Sequence, residues 1–323
     1  MAVVVLRYDL RRAPFSPVSH EVLYRTCLEQ CVWADRLGIP TAVVSEHHGV
    51  DDGYLPAPLT MAAAILGATE RIGVNVAALL LPLHDPVRLA EQMAVLQLLG
   101  RGRVSYVLGL GYRPEEFEMA GLDRSQRARR FEDCFRVLRA CLRGETVEWQ
   151  GRKVRVTPVP PELPPMLVGG STPAAARRAA RLGCGFFPAI GDPSLAATYE
   201  EECRKVGFSG GFVMLPRGPG FVHVAEDPDA AWERVGPYAL YDARSYADWQ
   251  TPDQRSSVYV DAKSVEDVQR SGVYRILRPE ECVELARETD HVVLHPLLAG
   301  MPPEWGWESL RLFEEKVWPA IRG

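Results

Sequence analysis

The sequence lacks the features of a membrane-spanning or exported protein. No run approaches the roughly 18 consecutive apolar residues that a membrane-spanning helix requires. Residues 1–9 contain no basic segment followed by a long apolar stretch, which a signal peptide would need. We therefore predict a cytoplasmic protein that makes no contact with a membrane.

Cysteine is sparse and scattered along the chain. The seven cysteines are odd in number, none forms a Cys-x-x-Cys pair, and none stands at zinc-ligand spacing from a histidine. This pattern excludes a disulfide framework and a cysteine-ligated zinc site. We expect buried, reduced thiols and no bound metal.

The chain also lacks an excess of positive charge. Lysine and arginine number 37 against 42 aspartates and glutamates, which gives a net charge of −5, and the basic residues form no cluster. Nucleic-acid phosphates are bound by basic surfaces, so this composition excludes a general nucleic-acid-binding protein. With 47% hydrophobic and 24% charged residues, the chain has the composition of a globular protein with a large core.

The sequence does contain a repeated pattern of short apolar runs, each followed by a helix-like segment. Most of the runs are continuously apolar, which is typical of parallel strands that are buried on both faces. The candidate strands span residues 3–6, 41–45, 72–81, 104–108, 166–168, 185–189, 221–225 and 291–295.

The prolines mark the starts of several helices. In four places a side chain that can cap a helix is followed directly by proline, whose missing N–H costs nothing at the first helical position. These pairs are Asp85-Pro86, Thr172-Pro173, Asp192-Pro193 and Asp227-Pro228. Strands that alternate with capped helices predict β-α-β crossovers and a mainly parallel sheet.

Eight strands in 323 residues fit a (β/α)8 TIM barrel. A doubly wound open sheet would need a glycine fingerprint after its first strand, but residues 7–12 contain no glycine and Gly109-Leu110-Gly111 lacks the third glycine. We therefore predict the α/β class, with one barrel domain over residues 1–323. Residues 146–157 predict a small hairpin. Residues 236–278 predict an irregular insertion, either a lid or binding loop or a dimer-facing or solvated segment.

Polar residues that follow the strands are the candidate site, because a barrel of this kind carries its site at the carboxyl ends of its strands. Ser45-Glu46-His47-His48 follows the second strand. Such groups are costly there unless they are paired or used. Metal ligation, acid–base or cofactor-positioning chemistry and a structural cluster all remain open. A metal would need more ligands, such as His84 or His295, and no second carboxylate–histidine pattern occurs, so we favour the acid–base or cofactor role.

Glycine-rich turns follow two other strands. Gly169-Gly170-Ser171-Thr172 runs into a helix, and free amides at a helix N-terminus form an anion pocket, although an ordinary capped helix start fits as well. Gly109-Leu110-Gly111 leaves room for a flat ring, with Tyr112 and Arg113 beside it. Residues 77–86 are apolar and mostly small. Together these segments predict a pocket with a phosphate at one end and a planar, apolar middle.

In this order, the segments resemble the bacterial luciferase-like family of flavin-dependent oxidoreductases. The resemblance covers nearly the whole chain and is carried by residues 45–48, 72–86, 103–121, 164–187 and 291–296. It implies a (β/α)8 barrel that binds FMN, or its deazaflavin analogue, at the carboxyl-end mouth. It also implies a homodimer.

The resemblance also implies roles for individual residues. His47 matches the family's catalytic or flavin-adjacent histidine, and Ala77-Ala78 matches a non-prolyl cis peptide that backs the isoalloxazine ring. The expected cofactor contacts are His47, Ala77, Ala78, Gly109, Gly111, Gly169, Gly170, Ser171 and Thr172. The expected substrate contacts are Tyr8, His48, Tyr112 and Arg113. Leu110 stands where luciferase carries a phosphate-contacting arginine, so Arg113 or Arg177 would have to supply that charge.

Three functions fit this resemblance. The first is a monooxygenase that takes reduced FMN from a separate reductase and uses O2 on a small, apolar or planar substrate, with His47 as the proton donor and Glu46 setting its orientation and tautomer. The second is a deazaflavin-dependent dehydrogenase or reductase that transfers a hydride. The third is a non-catalytic flavin-binding barrel, which would not need the Glu46-His47-His48 set. The acidic chain favours FMN, because a deazaflavin coenzyme carries an anionic tail.

Overall fold

The computed structural model of the protein describes residues 2–250, 254 and 256–322. In this part of the chain no helix is both long and apolar enough to cross a membrane. The strands are β1 (Val3–Tyr8), β2 (Thr41–Val44), β3 (Gly73–Leu80), β4 (Val104–Gly109), β5 (Val147–Trp149), β6 (Arg152–Val154), β7 (Met166–Gly170), β8 (Gly185–Pro188), β9 (Phe221–Val224), β10 (Tyr274–Leu277) and β11 (His291–Leu294). The helices are α1 (His20–Leu37), α2 (Pro58–Ala68), α3 (Pro86–Leu99), α4 (Pro114–Met119), α5 (Arg127–Leu142), α6 (Pro173–Arg181), α7 (Pro193–Val206), α8 (Pro228–Trp249), α9 (Val265–Ser271), α10 (Pro279–Thr289), α11 (Pro303–Leu312) and α12 (Trp318–Ile321).

The strands and helices alternate as the sequence predicts, which confirms the α/β class. Each of the eight predicted strands is present within two residues of its expected bounds. The predicted hairpin is also present, because β5 and β6 pair antiparallel, with Val147 opposite Val154. Its turn residues Gln150 and Gly151 have φ values of 51° and 72°, the left-handed conformation that a two-residue hairpin turn requires.

All four predicted proline helix starts are confirmed. In each one the capping side chain accepts a hydrogen bond from a backbone N–H of the first turn, and the proline lies in that turn. The capping residues are Asp85 for α3, Thr172 for α6, Asp192 for α7 and Asp227 for α8. Three of these helices directly follow strands, so the caps fix where the chain leaves the sheet.

The chain divides into two compact units. Unit 1 contains Met1–Val43, Val50–Leu55 and Pro216–Gly323, and unit 2 contains Val44–Gly49 and Pro56–Leu215. The strand order in unit 1 is β10-β9-β11-β1-β2, and in unit 2 it is β3-β4-β7-β8. In unit 1, β1 runs parallel to β11, and in unit 2, β4 runs parallel to both β3 and β7. The assignment of residues 1–323 to one domain stays a prediction.

The irregular insertion predicted over residues 236–278 is largely regular. Helix α8 continues to Trp249, and α9 and β10 follow within the same stretch. Residues 251–253 and 255 of the predicted insertion lie outside the described residues. The sequence pattern misleads because Gly236 and Asp242 lie on the buried face of α8, where an amphipathic helix normally shows apolar side chains, and because Pro237 lies inside the helix.

Candidate active site

Three loops of unit 2 bring most of the predicted site residues together. They follow β2, β3 and β4 at the ends where parallel strands present their polar loops. The Ser45 hydroxyl donates a hydrogen bond to the Ala77 carbonyl oxygen at 2.7 Å. The peptide bond between Ala77 and Ala78 is cis, as the resemblance implies. Gly109 lies so close to this peptide that an added Cβ would be 2.9 Å from the Cβ of Ala78.

His47 lies between a carboxylate and a phenol. Its Nδ1 is 2.8 Å from Oε1 of Glu116, and its Nε2 is 3.2 Å from the hydroxyl of Tyr112. The His47 and Tyr112 rings meet edge to face, with centroids 5.5 Å apart. Because the carboxylate can only accept, Nδ1 carries a hydrogen, and in the neutral ring Nε2 then accepts from Tyr112. The imidazole is 6% exposed, so these two partners fix its orientation.

Glu116 is the residue that the sequence analysis missed. It is 1% exposed, and its Oε1 also accepts a hydrogen bond from the backbone N–H of His48 at 2.9 Å. The guanidinium of Arg113 lies 3.6 Å from the same oxygen and donates to the His48 carbonyl at 2.8 Å. Glu116 stands in the first turn of α4, after Pro114, so the helix start was the available signal. Its Oε2 has no hydrogen-bond partner among the described residues.

The predicted pairing of Glu46 with His47 is wrong. Oε1 of Glu46 accepts from Nε2 of His48 at 3.0 Å and from Nε2 of His84 at 2.8 Å, and Oε2 accepts from the backbone N–H of Leu80 at 2.5 Å. Burial alone would raise the pKa of Glu46, but the hydrogen bonds from His48, His84 and Leu80 outweigh it and lower the pKa to about 2. The hydrogen bond that His48 donates to Glu46 in turn raises the pKa of His48.

The glycine loop after β7 leads directly into α6. Thr172 caps the helix by accepting from the Ala175 N–H at 3.3 Å. Gly170 has a φ of 152°, and an added Cβ there would be 2.6 Å from the Cβ of Ala175. Glycine therefore allows the loop to turn tightly against the helix start, next to the half-buried Ser171. Arg177 is exposed on the same helix.

The residues present fit a flavin. The half-buried methyl groups of Ala77 and Ala78 form a flat apolar surface, and Gly109 adds no side chain that would cover it. The loop from Gly169 to Thr172 offers hydroxyl groups and the N-terminus of a helix, which suit the phosphate end. Arg113 donates to the His48 carbonyl. The expected use of Arg113 or Arg177 in place of the arginine that luciferase carries at the position of Leu110 stays a prediction.

Tyr8 does not lie where a substrate contact would need it. Its side chain is fully buried, and its hydroxyl donates to the side-chain oxygen of Gln30 on α1 at 3.1 Å. The structure therefore places Tyr8 in the core between β1 and α1. A continuously apolar strand gives no alternation from which the inward face could have been read.

A second buried polar cluster lies in unit 1 around Arg11. The Arg11 side chain has no exposed surface, and its Nε and Nη2 donate to Oδ2 of Asp52 at 2.7 and 2.5 Å. Its Nη1 donates to Asp242 of α8 at 3.3 Å. Four aromatic rings lie within 4.8–5.6 Å of the guanidinium carbon, those of Tyr54, Tyr241, Tyr246 and Trp249. The sequence analysis did not identify this cluster.

The cysteines are free and buried, as predicted. Among the described residues, no group of three or more histidine, cysteine, aspartate or glutamate side chains is placed to hold a metal ion.

Residues 12–290 match the family model described as luciferase-like monooxygenase. Limonene 1,2-monooxygenase of Rhodococcus erythropolis is 27% identical over 318 residues, which cover 92% of this chain and 81% of that protein. The uncharacterized protein y4vJ of Sinorhizobium fredii is 27% identical over 176 residues, which cover 52% of this chain and 50% of that protein. The chain thus spans about half the length of this and other curated relatives that it matches.

Three solved structures share the fold over almost their full length. Monooxygenase RslO1 from Streptomyces bottropensis has a TM-score of 0.77 at 22% identity, covering 98% of each chain. The FMN complex of the oxygenating constituent of 3,6-diketocamphane monooxygenase from Pseudomonas putida has a TM-score of 0.73 at 19% identity, covering 99% of each chain. An F420-dependent secondary alcohol dehydrogenase has a TM-score of 0.70 at 19% identity, covering 100% of this chain and 99% of that one. At these identities the likeness concerns the fold, and it agrees with the α/β fold that the sequence predicts.

Proposed function

Because the chain belongs to the luciferase-like monooxygenase family, we propose that it uses reduced FMN and O2 to oxidise a small, apolar or planar organic substrate. The observation that carries this proposal is the buried arrangement in which His47 lies between Glu116 and Tyr112. A protein that only stored a flavin would need a phosphate loop and a ring pocket, but no oriented imidazole.

In this proposal His47 moves the proton. Glu116 accepts the Nδ1 hydrogen and so fixes both the ring orientation and the tautomer, which leaves Nε2 as the atom that exchanges a proton. Tyr112, at 3.2 Å from Nε2, is the partner through which that proton can pass. Glu46 has a pKa of about 2 and stays ionised at neutral pH, so it does not serve as the acid.

The cofactor would be held by the loops already described. Ala77 and Ala78 would lie against the ring, with Gly109 leaving room beside them, and the loop from Gly169 to Thr172 would hold the phosphate. When bound, the reduced flavin supplies the two electrons and the carbon at which O2 reacts. The burial of His47 and Glu116 helps to exclude water from that reaction.

The proposal includes the source of the electrons and the assembly. Reduced FMN would come from a separate flavin reductase, and the enzyme would act in the cytoplasm as a homodimer. FMN is favoured over a deazaflavin coenzyme because the chain has a net charge of −5 and a deazaflavin coenzyme carries an anionic tail that would need basic residues.

The alternative is a dehydrogenase that uses a deazaflavin coenzyme such as F420. It is supported by the equally complete fold match to an F420-dependent alcohol dehydrogenase. In that reaction His47 would act as the acid or base beside a hydride transfer.

A reconstitution experiment tests the choice. The purified protein is titrated with FMN and separately with F420, and O2 uptake is then followed after photoreduction of the bound cofactor. We expect saturable FMN binding and consumption of O2. Tight binding of F420 with FMN ignored would overturn the proposed monooxygenase and favour the dehydrogenase.

A further inference from the structure

Glu46 faces three hydrogen-bond donors at once. The donors are Nε2 of His48, Nε2 of His84 and the backbone N–H of Leu80, at 3.0, 2.8 and 2.5 Å from its two oxygens. The Glu46 side chain has no exposed surface, so water does not compete for these donors. None of these three hydrogen bonds involves His47.

A carboxylate accepts from all three of these donors at once. A glutamine amide at the same position offers one acceptor oxygen and two N–H groups, so both imidazoles would have to switch to the tautomer that accepts on Nε2, or one donor would lose its partner. The low pKa of Glu46, about 2, agrees with this geometry. The geometry therefore gives Glu46 a structural role, as the one acceptor that these three donors share.

Glu46 and its neighbour Ser45 hold the two ends of one short segment. Ser45 donates to the carbonyl of Ala77, and Glu46 accepts from the N–H of Leu80 three residues later. Between these two points the pairing of β3 with β4 shifts register, from Ala77 opposite Val107 to Leu79 opposite Leu108. The sheet ladder is therefore interrupted at Ala78, which makes the contacts from outside the ladder more important.

We propose that Glu46 is a positioning residue which, together with Ser45, holds the segment Ala77–Leu80 where it forms the wall against the flavin ring. His48 and His84 complete the hydrogen bonds of the Glu46 carboxylate. This inference rests on the proposed flavin-dependent function. It assigns Glu46 to the cofactor wall, whereas the proton chemistry belongs to His47.

The hydrogen bonds by which Glu46 and Ser45 hold the segment Ala77–Leu80 are called the clamp here. Its histidine partners should make it tolerant of pH. The His48 and His84 side chains are 21% and 22% exposed, so both can exchange protons with solvent. An imidazole carries a hydrogen on Nε2 in its charged form and in one neutral tautomer, so both forms donate to Glu46. The clamp should therefore persist whichever of these forms is present, and changing it should not move the pH profile of reoxidation.

The test compares Glu46→Gln with Glu118→Gln, which removes an exposed charge from α4. Binding of oxidised FMN is measured by flavin fluorescence, and reoxidation of the bound reduced FMN by O2 is followed by stopped flow between pH 5.5 and 9. We expect Glu46→Gln to weaken FMN binding by roughly tenfold or more, without moving the midpoints of the reoxidation profile. Glu118→Gln should match the wild type in both measurements.

Two outcomes would overturn the inference: unchanged FMN affinity in Glu46→Gln, or the loss of an acidic limb from the reoxidation profile, which would make Glu46 a titrating group. If Glu46→Gln does not fold by circular dichroism, Ser45→Ala and His84→Gln each remove one contact of the clamp. Each should then weaken FMN binding by a smaller factor, and unchanged affinity in both would also overturn the inference.

The same titration separates this inference from the proposed function. If the wild type binds F420 and ignores FMN, the monooxygenase proposal fails, and the variants are compared with F420 instead. A tenfold loss of F420 affinity in Glu46→Gln would still support the clamp. A wild type that bound neither cofactor would overturn both.

Discussion

The Nδ1 atom of His47 lies 2.8 Å from Oε1 of Glu116, although the two residues are 69 positions apart in the chain. The Glu116→Gln variant keeps an acceptor for Nδ1 but removes the negative charge. We expect FMN affinity to change by less than about threefold, and turnover to fall by about 10- to 100-fold because the imidazole is held less firmly in one tautomer. Fluorescence titration and O2 uptake measure the two effects. Glu118→Gln, at an exposed glutamate of the same helix, is the matched control.

His47 itself should separate catalysis from binding. His47→Ala removes the group to which we assign the proton, so O2-dependent turnover should fall by about 10²- to 10⁴-fold. FMN should still bind, because the wall and the phosphate loop are intact. Unchanged turnover in a variant that binds FMN normally would refute the catalytic role.

Replacing Gly109 even with alanine should destabilise the protein. In Gly109→Ala the new Cβ would lie 2.9 Å from the Cβ of Ala78 and 3.2 Å from a methyl group of Leu80. We expect a loss of about 1–3 kcal/mol in the free energy of unfolding, together with weaker FMN binding. Gly67→Ala in α2 is the control, because nothing lies within 4 Å of its added Cβ. That change should stabilise the protein by about 0.4–1 kcal/mol in urea denaturation.

Removing Arg11 should be costly for stability. Arg11→Met leaves the buried carboxylates of Asp52 and Asp242 without their guanidinium, and breaking such a pair typically costs about 3–5 kcal/mol. Arg25→Met removes an exposed arginine whose nearest carboxylate is also exposed, and it should change stability by less than about 0.5 kcal/mol. Urea denaturation of both variants makes the comparison. Equal stabilities would contradict the assigned role of Arg11.

The contribution of Glu46 to the free energy of unfolding should be lost at acid pH. Its pKa is lowered from the ordinary 4.5 to about 2, so its contribution is present above pH 4.5 and is lost as the pH falls through 2. The difference corresponds to about 3 kcal/mol. Below pH 5 His48, whose pKa is raised, is protonated in both folded and unfolded chains and adds no slope. The unfolding free energy between pH 5 and 2.5 should therefore fall less steeply in Glu46→Gln than in the wild type.

Much of the fold was readable from local patterns. The continuously apolar runs located eight strands, and the turn Gln150-Gly151 located the hairpin, because both features depend on neighbouring residues only. Strand β10 escaped notice because it has four residues and carries the exposed Arg275. The start of α8 was predicted, but its continuation to Trp249 was not, because polar residues interrupt its buried face.

The candidate site could be predicted from the sequence only in part, because some of its contacts join residues that are distant in the chain. The turn Glu46-His47-His48 follows its strand directly, so the position of the chemistry could be predicted, and the cis peptide followed from the family resemblance. The hydrogen-bond partners could not be predicted, because His47 contacts Glu116 and Glu46 contacts His84 only after segments distant in the chain have packed together. Tyr8 was misassigned because the sequence does not show which face of β1 points to a helix.

The two units are formed from parts of the chain that are synthesised at different times. Unit 2 is built from almost consecutive residues, whereas unit 1 pairs Leu6 of β1 with Leu294 of β11. At roughly 5–20 residues per second, a ribosome needs about 15–60 s to make the stretch between these partners. During that time β1 and the apolar face of α1 have emerged without their final partner. We therefore expect the apolar surface of this N-terminal segment to stay uncovered on the nascent chain until the last strand is made.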